Sequence, residues 1–146
     1  QGYSPPAECD LVALGATSIS MVGDSYAQNL KELDDYYAAI DAGKLAVFRG
    51  VDLDKDDKLR RDVITRLICH FELDKASVEQ LHGIVFNDYF ANELKDLEAM
   101  QADGLLQLEE GRIEVQPAGK LLIRNICMVF DRYLREKKNQ RFSKVI

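Results

Sequence analysis

What the sequence lacks narrows its chemistry before any motif is weighed. Its 146 residues hold three cysteines, two histidines and no tryptophan. Cys9, Cys69 and Cys127 stand far apart, and none lies in a CxxC or CxxxC cluster. His70 and His82 are the only imidazoles. Spacing alone assembles no zinc or iron–sulfur ligand set from these residues. The odd cysteine count argues against a disulfide framework. Cys69 and Cys127 fall in apolar helical patterns and read as small buried hydrophobes. No apolar run approaches the roughly 20 residues that a bilayer span needs, and no charged-then-apolar secretion signal opens the chain. Positive charge is also short: the net charge is −6 and the pI is near 4.9. A globally acidic domain is a poor partner for phosphate backbones or anionic lipid unless its cations are segregated. The plain expectation is a cytoplasmic piece of a protein with no membrane and no nucleic-acid partner.

Apolar residues make up 47% of the chain, enough for a sizeable core. The first 25 residues differ from the rest. "DLVALGATSISMVGD" reads as a buried strand with a Gly-rich end, and such a strand needs neighbours for its ladder groups. No partner strand is evident nearby, so the segment looks torn from a larger sheet. Ser25 and Gln28 then fit an S-x-x-Q capping box, and Leu30, Leu33, Tyr37 and Ile40 fall at helical spacing. The pattern predicts a helix over 26–41, stopped by Gly43. "LAVFRGVDL" reads as a short extended connector.

From Asp54 onward the signals are helical. Asp54 is a candidate N-cap, with Asp56 and Asp57 suited to the positive helix N-terminus. Leu59, Val63, Leu67 and Phe71 line one stripe, with Ile64 and Ile68 beside it. Ser77 and Gln80 offer a second capping box. "NDYFANELKDLEAMQADG" predicts a longer helix with Phe90, Leu94, Leu97 and Met100 inward and Gly104 at its end. "LLQLEEGRIEVQP" alternates on both sides of Glu110–Gly111, a β-hairpin signature. A last helix is predicted from Pro117 or Ala118 to about Lys138, with Pro in its favoured first turn.

Helix, short helix, helix, hairpin is the outline of a winged helix, with the hairpin as the wing. Charge argues against DNA. The third helix carries Asp88, Glu93, Asp96, Glu98 and Asp103 against Lys95, and the wing Glu109, Glu110 and Glu114 against Arg112. Both would meet phosphates with net negative charge. Basic residues gather only at the end: Arg132, Arg135, Lys137, Lys138, Arg141 and Lys144. A favourable helix C-terminus with a solvated tail accounts for them; a docking patch for an acidic partner is the alternative.

The last helix poses its own question. On a helical wheel Val129, Leu122, Tyr133, Ile126, Phe130, Ile123, Leu134 and Cys127 fill an arc of about 160°. Arg124, Asp131 and Arg135 cluster just outside it, and Asp131 can pair with Arg135 at i,i+4. Arg124 therefore borders the apolar face. It reads as a half-buried arginine bonded to an oxygen elsewhere, or as a group at a docking face with a second domain.

The segments "QGY", "GATSISMVGDSYAQN", "FRG", "RRDVI", "LIC", "DYFA", "DGL", "LLIRNICMVFD" and "FSKVI" carry a resemblance over nearly all 146 residues. The chain resembles the C-terminal part of the oxygen-independent coproporphyrinogen III oxidase (coproporphyrinogen dehydrogenase) family of radical S-adenosylmethionine enzymes. That resemblance implies a parent with an open β/α barrel, a [4Fe–4S] cluster, S-adenosylmethionine and a mostly helical C-terminal domain. It implies decarboxylation of two propionates of coproporphyrinogen III to the vinyls of protoporphyrinogen IX. The family's C-x-x-x-C-x-x-C cluster motif is absent from this sequence, so the chain alone is expected to bind no cofactor and to be inactive.

By the same resemblance Gln1 and Ile19 lie at the S-adenosylmethionine site. Arg60, Arg61 and Arg124 are candidate carboxylate contacts, since a guanidinium can grip a propionate with two hydrogen bonds. "YSPPAECD" departs from the family stretch in its paired prolines. The fold class that follows is mainly α. A winged-helix-like helical domain with one small β-hairpin spans 54–146, and a remnant strand and helix from the end of an α/β radical-SAM barrel precede it. Residues 1–25 are the barrel remnant and 26–53 the linking helix and connector. The expected partners are the chain's own upstream barrel and coproporphyrinogen III, in a monomeric full-length enzyme. The competing reading is a haem- or tetrapyrrole-binding module of a non-oxidase relative. It needs an axial ligand from His70 or His82, and His82 beside Gly83 reads as solvent-facing.

Overall fold

A computed structural model of the chain describes residues 10–136. Two bodies separate within it, one ending at Lys58 and one starting at Leu59.

The first body is a three-stranded antiparallel sheet with one helix. Strands β1 (Ile19–Val22), β2 (Ser25–Asn29) and β3 (Val47–Asp52) lie in the order β1-β2-β3, and α1 (Leu33–Asp41) falls between β2 and β3 in sequence. A two-residue turn, Gly23–Asp24, joins β1 to β2, with Gly23 at φ 55. That turn overturns two expectations. The strand at Ile19 has a partner within the chain, and residues 25–29 are strand, not the first turns of a helix. The S-x-x-Q signature at Ser25 is a local signal, and it lost to pairing of β2 with strands on both sides. The helix keeps only Leu33–Asp41, stopping at Gly43 (φ 68) as its sequence predicts. The connector at Val47–Asp52 is extended, and it is the third strand of the sheet. Among the described apolar residues of this body only Ala46 is buried.

The second body is mainly helical. It contains α2 (Lys55–His70, whose first turn belongs to the first body), β4 (Glu72–Asp74), α3 (Lys75–His82), α4 (Phe86–Tyr89) and α5 (Ala91–Ala102). Then come β5 (Leu106–Leu108), β6 (Arg112–Val115), α6 (Pro117–Leu121) and α7 (Ile123–Met128). The hairpin β5–β6 is the predicted wing. Strand β4, too short to show a pattern, joins it in a sheet of order β4-β6-β5. Asp54 caps α2 reciprocally: Asp57 N donates to Asp54 Oδ1 at 2.8 Å and Asp54 N to Asp57 Oδ2 at 3.1 Å. For α3 the cap is Asp74, whose Oδ2 accepts from Ser77 N at 2.8 Å, so the Ser77–Gln80 box does not form. Leu59, Val63 and Leu67 of α2 meet Phe86, Phe90, Leu97, Ile113, Ile126 and Phe130 in one core. Ring centroids of Phe90 lie 4.8 Å from Phe86 and 5.4 Å from Phe130. Each such side chain contributes about 1.5–3 kcal/mol through burial. Among the described residues no helix is long and apolar enough to cross a membrane.

The predicted last helix is broken. It divides at Leu122 (φ −110) and turns again after Met128; residues 132–136 are helical once more. The bonds Leu122 N to Gly119 O, Val129 N to Ile126 O and Phe130 N to Cys127 O are of the tighter i to i+3 kind. Gly119 explains the position of α6. A Cβ there would sit 1.9 Å from Leu105 O, so only glycine lets the helix approach that backbone. Lys137 and Lys138, the expected end of the helix, lie outside the described residues.

The contact generates a prediction. Gly119→Ala should lower stability by about 1–3 kcal/mol through overpacking, read as a lower midpoint in urea unfolding. Gly111→Ala, with open space around it, should shift the midpoint far less. Equal midpoints for the two variants would contradict the close approach.

Candidate functional site

In the first body the polypeptide before β1 is knotted into a tight turn. Gly15 and Thr17 both have positive φ, 102 and 64. For threonine this is an uncommon conformation, and it persists because its surroundings fix it. Thr17 N donates to Leu30 O at 2.9 Å, and Gly15 N donates to Tyr36 Oη at 3.1 Å. Asn29 Nδ2 donates at 3.0 Å to both Gly15 O and Ser18 Oγ. The turn delivers Ile19 to the start of β1 with its side chain half-exposed.

Antiparallel pairing sets what stands beside Ile19. Ile19 faces Gln28, and Gln28 faces Arg49. Directly paired residues project from one face, so these three form a row. Met21, Tyr26 and Val51 form the next row. Arg49 Nε donates to Gln28 Oε1 at 2.9 Å. Gln1 lies outside the described residues. Reading Gln28 as a helix-cap residue hid this row. The turn dipeptide Gly23–Asp24 between two short apolar runs was the signal that could have shown it.

In the second body the candidate arginines differ. Arg60 NH1 lies 3.0 Å from Glu93 Oε1 and donates to Phe130 O at 3.0 Å, with its guanidinium over the Phe90 ring at 5.4 Å. Arg61 is half-buried on α2, and Arg124 is exposed on α7. Arg135 pairs with Asp96 at 2.7 Å and approaches Glu93 at 3.7 Å. Asp131 instead accepts a hydrogen bond from Leu134 N at 3.1 Å, so the expected Asp131–Arg135 pair is replaced. His82 is not solvent-facing: Nε2 lies 3.1 Å from Asp62 Oδ2, and Arg66 bonds the other oxygen of Asp62 at 2.9 Å. His70 is exposed at the end of α2. On the wing, Arg112 is held by Glu109 and Glu114. The bond to Arg112 keeps the Glu109 carboxyl below its ordinary range.

The described cysteines do not fit an iron–sulfur cluster. Burial pushes the Cys127 thiol up to about 12, with Cys69 adding a smaller push, and its Sγ contacts Ile64 O at 3.8 Å. A cluster requires clustered thiolates. No group of three metal-ligating side chains stands together among the described residues. The Ile19 row does fit an organic ligand with an apolar part and a carboxylate, because it sets isoleucine beside a guanidinium.

Comparisons with known proteins place these features in context. Residues 53–122 match the family "HemN C-terminal domain". The chain is 49% identical over 146 residues to the oxygen-independent coproporphyrinogen III oxidase of Pseudomonas aeruginosa. It is 50% identical over 147 residues to that of Escherichia coli K12, and 37% identical over 146 residues to that of Helicobacter pylori. Each match covers 100% of this chain and 32% of the relative. The chain thus spans about a third of the length of these three relatives. A solved structure of coproporphyrinogen III oxidase (HemN) from Escherichia coli, described as a radical SAM enzyme, superposes with a TM-score of 0.84 at 49% identity. That match covers 90% of this chain and 30% of the other. The mainly helical class with small sheets agrees with it.

Two outcomes test the site's physical chemistry. Glu93→Ala removes the buried carboxylate on which Arg60 and Arg135 converge and should cost about 3–5 kcal/mol. Asp96→Ala removes an exposed partner of Arg135 and should cost about 0–1 kcal/mol. Urea unfolding of both variants reads the difference, and equal losses would contradict the buried role of Glu93. The second outcome concerns Cys127, whose folded thiol titrates near 12 against an ordinary 9.0. Between those values the unfolded chain releases a proton that the folded chain retains, so this group's contribution to stability falls as pH rises through 9 to 12. At pH 8 a thiol reagent should modify Cys69 before Cys127, with Cys127 reacting only on unfolding. Equal rates in the folded protein would contradict its burial.

Proposed function

We propose, from a chain that carries the HemN C-terminal domain over residues 53–122 and is similar along its whole length to oxygen-independent coproporphyrinogen III oxidases, that it serves as the C-terminal part of such an enzyme. The proposed reaction of the whole is oxidative decarboxylation of two propionates of coproporphyrinogen III to give protoporphyrinogen IX, in the cytoplasm. The proposed cofactors of the whole are a [4Fe–4S] cluster and S-adenosylmethionine. The cluster's cysteines would come from the proposed upstream barrel, because Cys69 and Cys127 are unsuited to it. The full-length enzyme is proposed to be a monomer.

This chain's share is to cover and position. The observation that carries the reading is the whole-length identity of 49–50% together with the TM-score of 0.84. The state of the first body supports it. Leu14 and Leu45 are 88% and 89% exposed, and Leu33, Tyr37 and Phe48 are exposed with them. A sheet with so little of its apolar surface buried fits one that is completed by further chain, as the remnant of a barrel would be. In this reading Ile19, with Gln1, borders S-adenosylmethionine. Residues 54–146 act as a lid that shields the chemistry from water and accommodates the substrate. Arg60, Arg61 and Arg124 are the proposed propionate contacts. Arg60, tied to Glu93 and Phe130 O, would first have to give up those partners.

The experiment is an anaerobic assay of the full-length protein after cluster reconstitution. It should convert coproporphyrinogen III to protoporphyrinogen IX, while the 146-residue chain alone should show neither turnover nor the broad visible absorption of an iron–sulfur centre. A reconstituted cluster in this chain, or a full-length protein inert toward the substrate, would overturn the reading.

A further inference from the structure

The sheet of the first body displays a cation that its own fold leaves largely unemployed. Arg49 stands on β3 in the row Ile19–Gln28–Arg49. Its Nε donates to Gln28 Oε1 at 2.9 Å, and Gln28 Nε2 reaches Thr17 O at 3.5 Å. The Nε bond fixes the plane of the guanidinium. The two terminal nitrogens have no protein acceptor among the described residues. Neither this row nor the next, Met21–Tyr26–Val51, contains a carboxylate. Asp52 belongs to the opposite face, where Ser25 Oγ donates to it. An exposed arginine in a chain of net charge −6 would ordinarily find an acid nearby. Here it is held by a neutral amide, beside apolar side chains, with its end-on fork open.

We propose that Arg49, oriented by Gln28, is a carboxylate-binding residue. The ligand is an amphipathic carboxylate whose apolar part lies along Ile19 and Met21. A fork of two parallel N–H donors matches the two oxygens of a carboxylate. A phosphate dianion is the poorer fit, since the two rows add no second cation to this face. On the functional reading above, on which the identity of the ligand rests, two molecules carry such a group. One is S-adenosylmethionine through its amino-acid carboxylate, and the other is the tetrapyrrole through a propionate.

The test uses Arg49→Ala, Arg49→Lys and Gln28→Ala in the full-length protein that carries this chain. The dissociation constant of S-adenosylmethionine and the KM for coproporphyrinogen III are measured for each. Arg49→Ala should weaken one of the two by about 10- to 100-fold, the range of a lost charge-assisted hydrogen bond, and the ligand affected identifies the source. Arg49→Lys should recover little, because lysine keeps the charge and lacks the fork. Gln28→Ala should weaken the same ligand by a smaller factor. Decarboxylated S-adenosylmethionine and the tetra-ester of the tetrapyrrole, measured as competing ligands, should be indifferent to Arg49→Ala. Unchanged constants for both acids, or equal loss for the carboxylate-free analogues, would overturn the proposal. If the wild-type protein binds neither acid, the functional reading is what fails. The carboxylate site is then judged by titrating propionate and propionamide while following the Arg49 Nε–H resonance. A saturable shift with propionate alone supports the site, and no such shift rejects it.

Discussion

The second body depends on one buried carboxylate. Glu93 sits in the first turn of α5, 3% exposed, beneath the aromatic core. Arg60 from α2 and Arg135 from the C-terminal segment converge on its Oε1. Arg60 also donates to Phe130 O, the carbonyl where the chain turns after α7. Three elements far apart in sequence are thus tied at one point, and the Phe90 ring roofs the guanidinium. A buried charge is tolerable only when paired and hydrogen-bonded, so this arrangement admits few alternatives. It also removes Glu93 from the outer face of the third helix.

Around that point the aromatic residues Phe86, Phe90 and Phe130 close the core, and Gly119 brings α6 against the backbone of Leu105. Lys75 shows the same economy at the wing, donating to Asn87 Oδ1 and Glu109 O while burial lowers its affinity for a proton. Among its described residues the first body gathers no comparable cluster of buried side chains. Its sheet is held by ladder bonds and by the Gly15–Ser18 turn, with Ala46 the buried apolar residue among those described. Backbone pairing without apolar burial contributes little net stability. Among the described residues the two bodies therefore differ in kind: the second closes an apolar core and the first buries little.

The legible parts of the sequence were those with long periodic signals. Leu59, Val63 and Leu67 on α2, Phe90 and Leu97 at α5, and the alternation around Glu110–Gly111 all gave elements where the structure has them. β1 fell inside a stretch read as a strand, but its partner was missed, and β2 and β4, of five and three residues, were not legible as strands. Ser25 and Gln28 satisfied a helix-cap pattern that pairing overrode. The break at Leu122 was invisible to a helical wheel, which assumes continuity, whereas Gly119 carried the warning. Of the arginines singled out, Arg60 is tied into the core and Arg124 is exposed. Arg49 escaped notice because its meaning arises only from its register with Gln28 and Ile19. The reaction itself came only from resemblance, since no spacing of residues in this chain encodes it.

The central proposal is that residues 59–136 form a self-supporting body while the β1–β2–β3 sheet is completed by further polypeptide of the proposed parent enzyme. Amide hydrogen exchange compares the 146-residue chain with the full-length protein directly. Amides of Leu67, Leu97 and Ile126 should be strongly protected in both, and those of Met21, Ala27 and Gly50 protected only in the full-length protein. Equal and strong protection of the sheet amides in the chain alone would contradict the account.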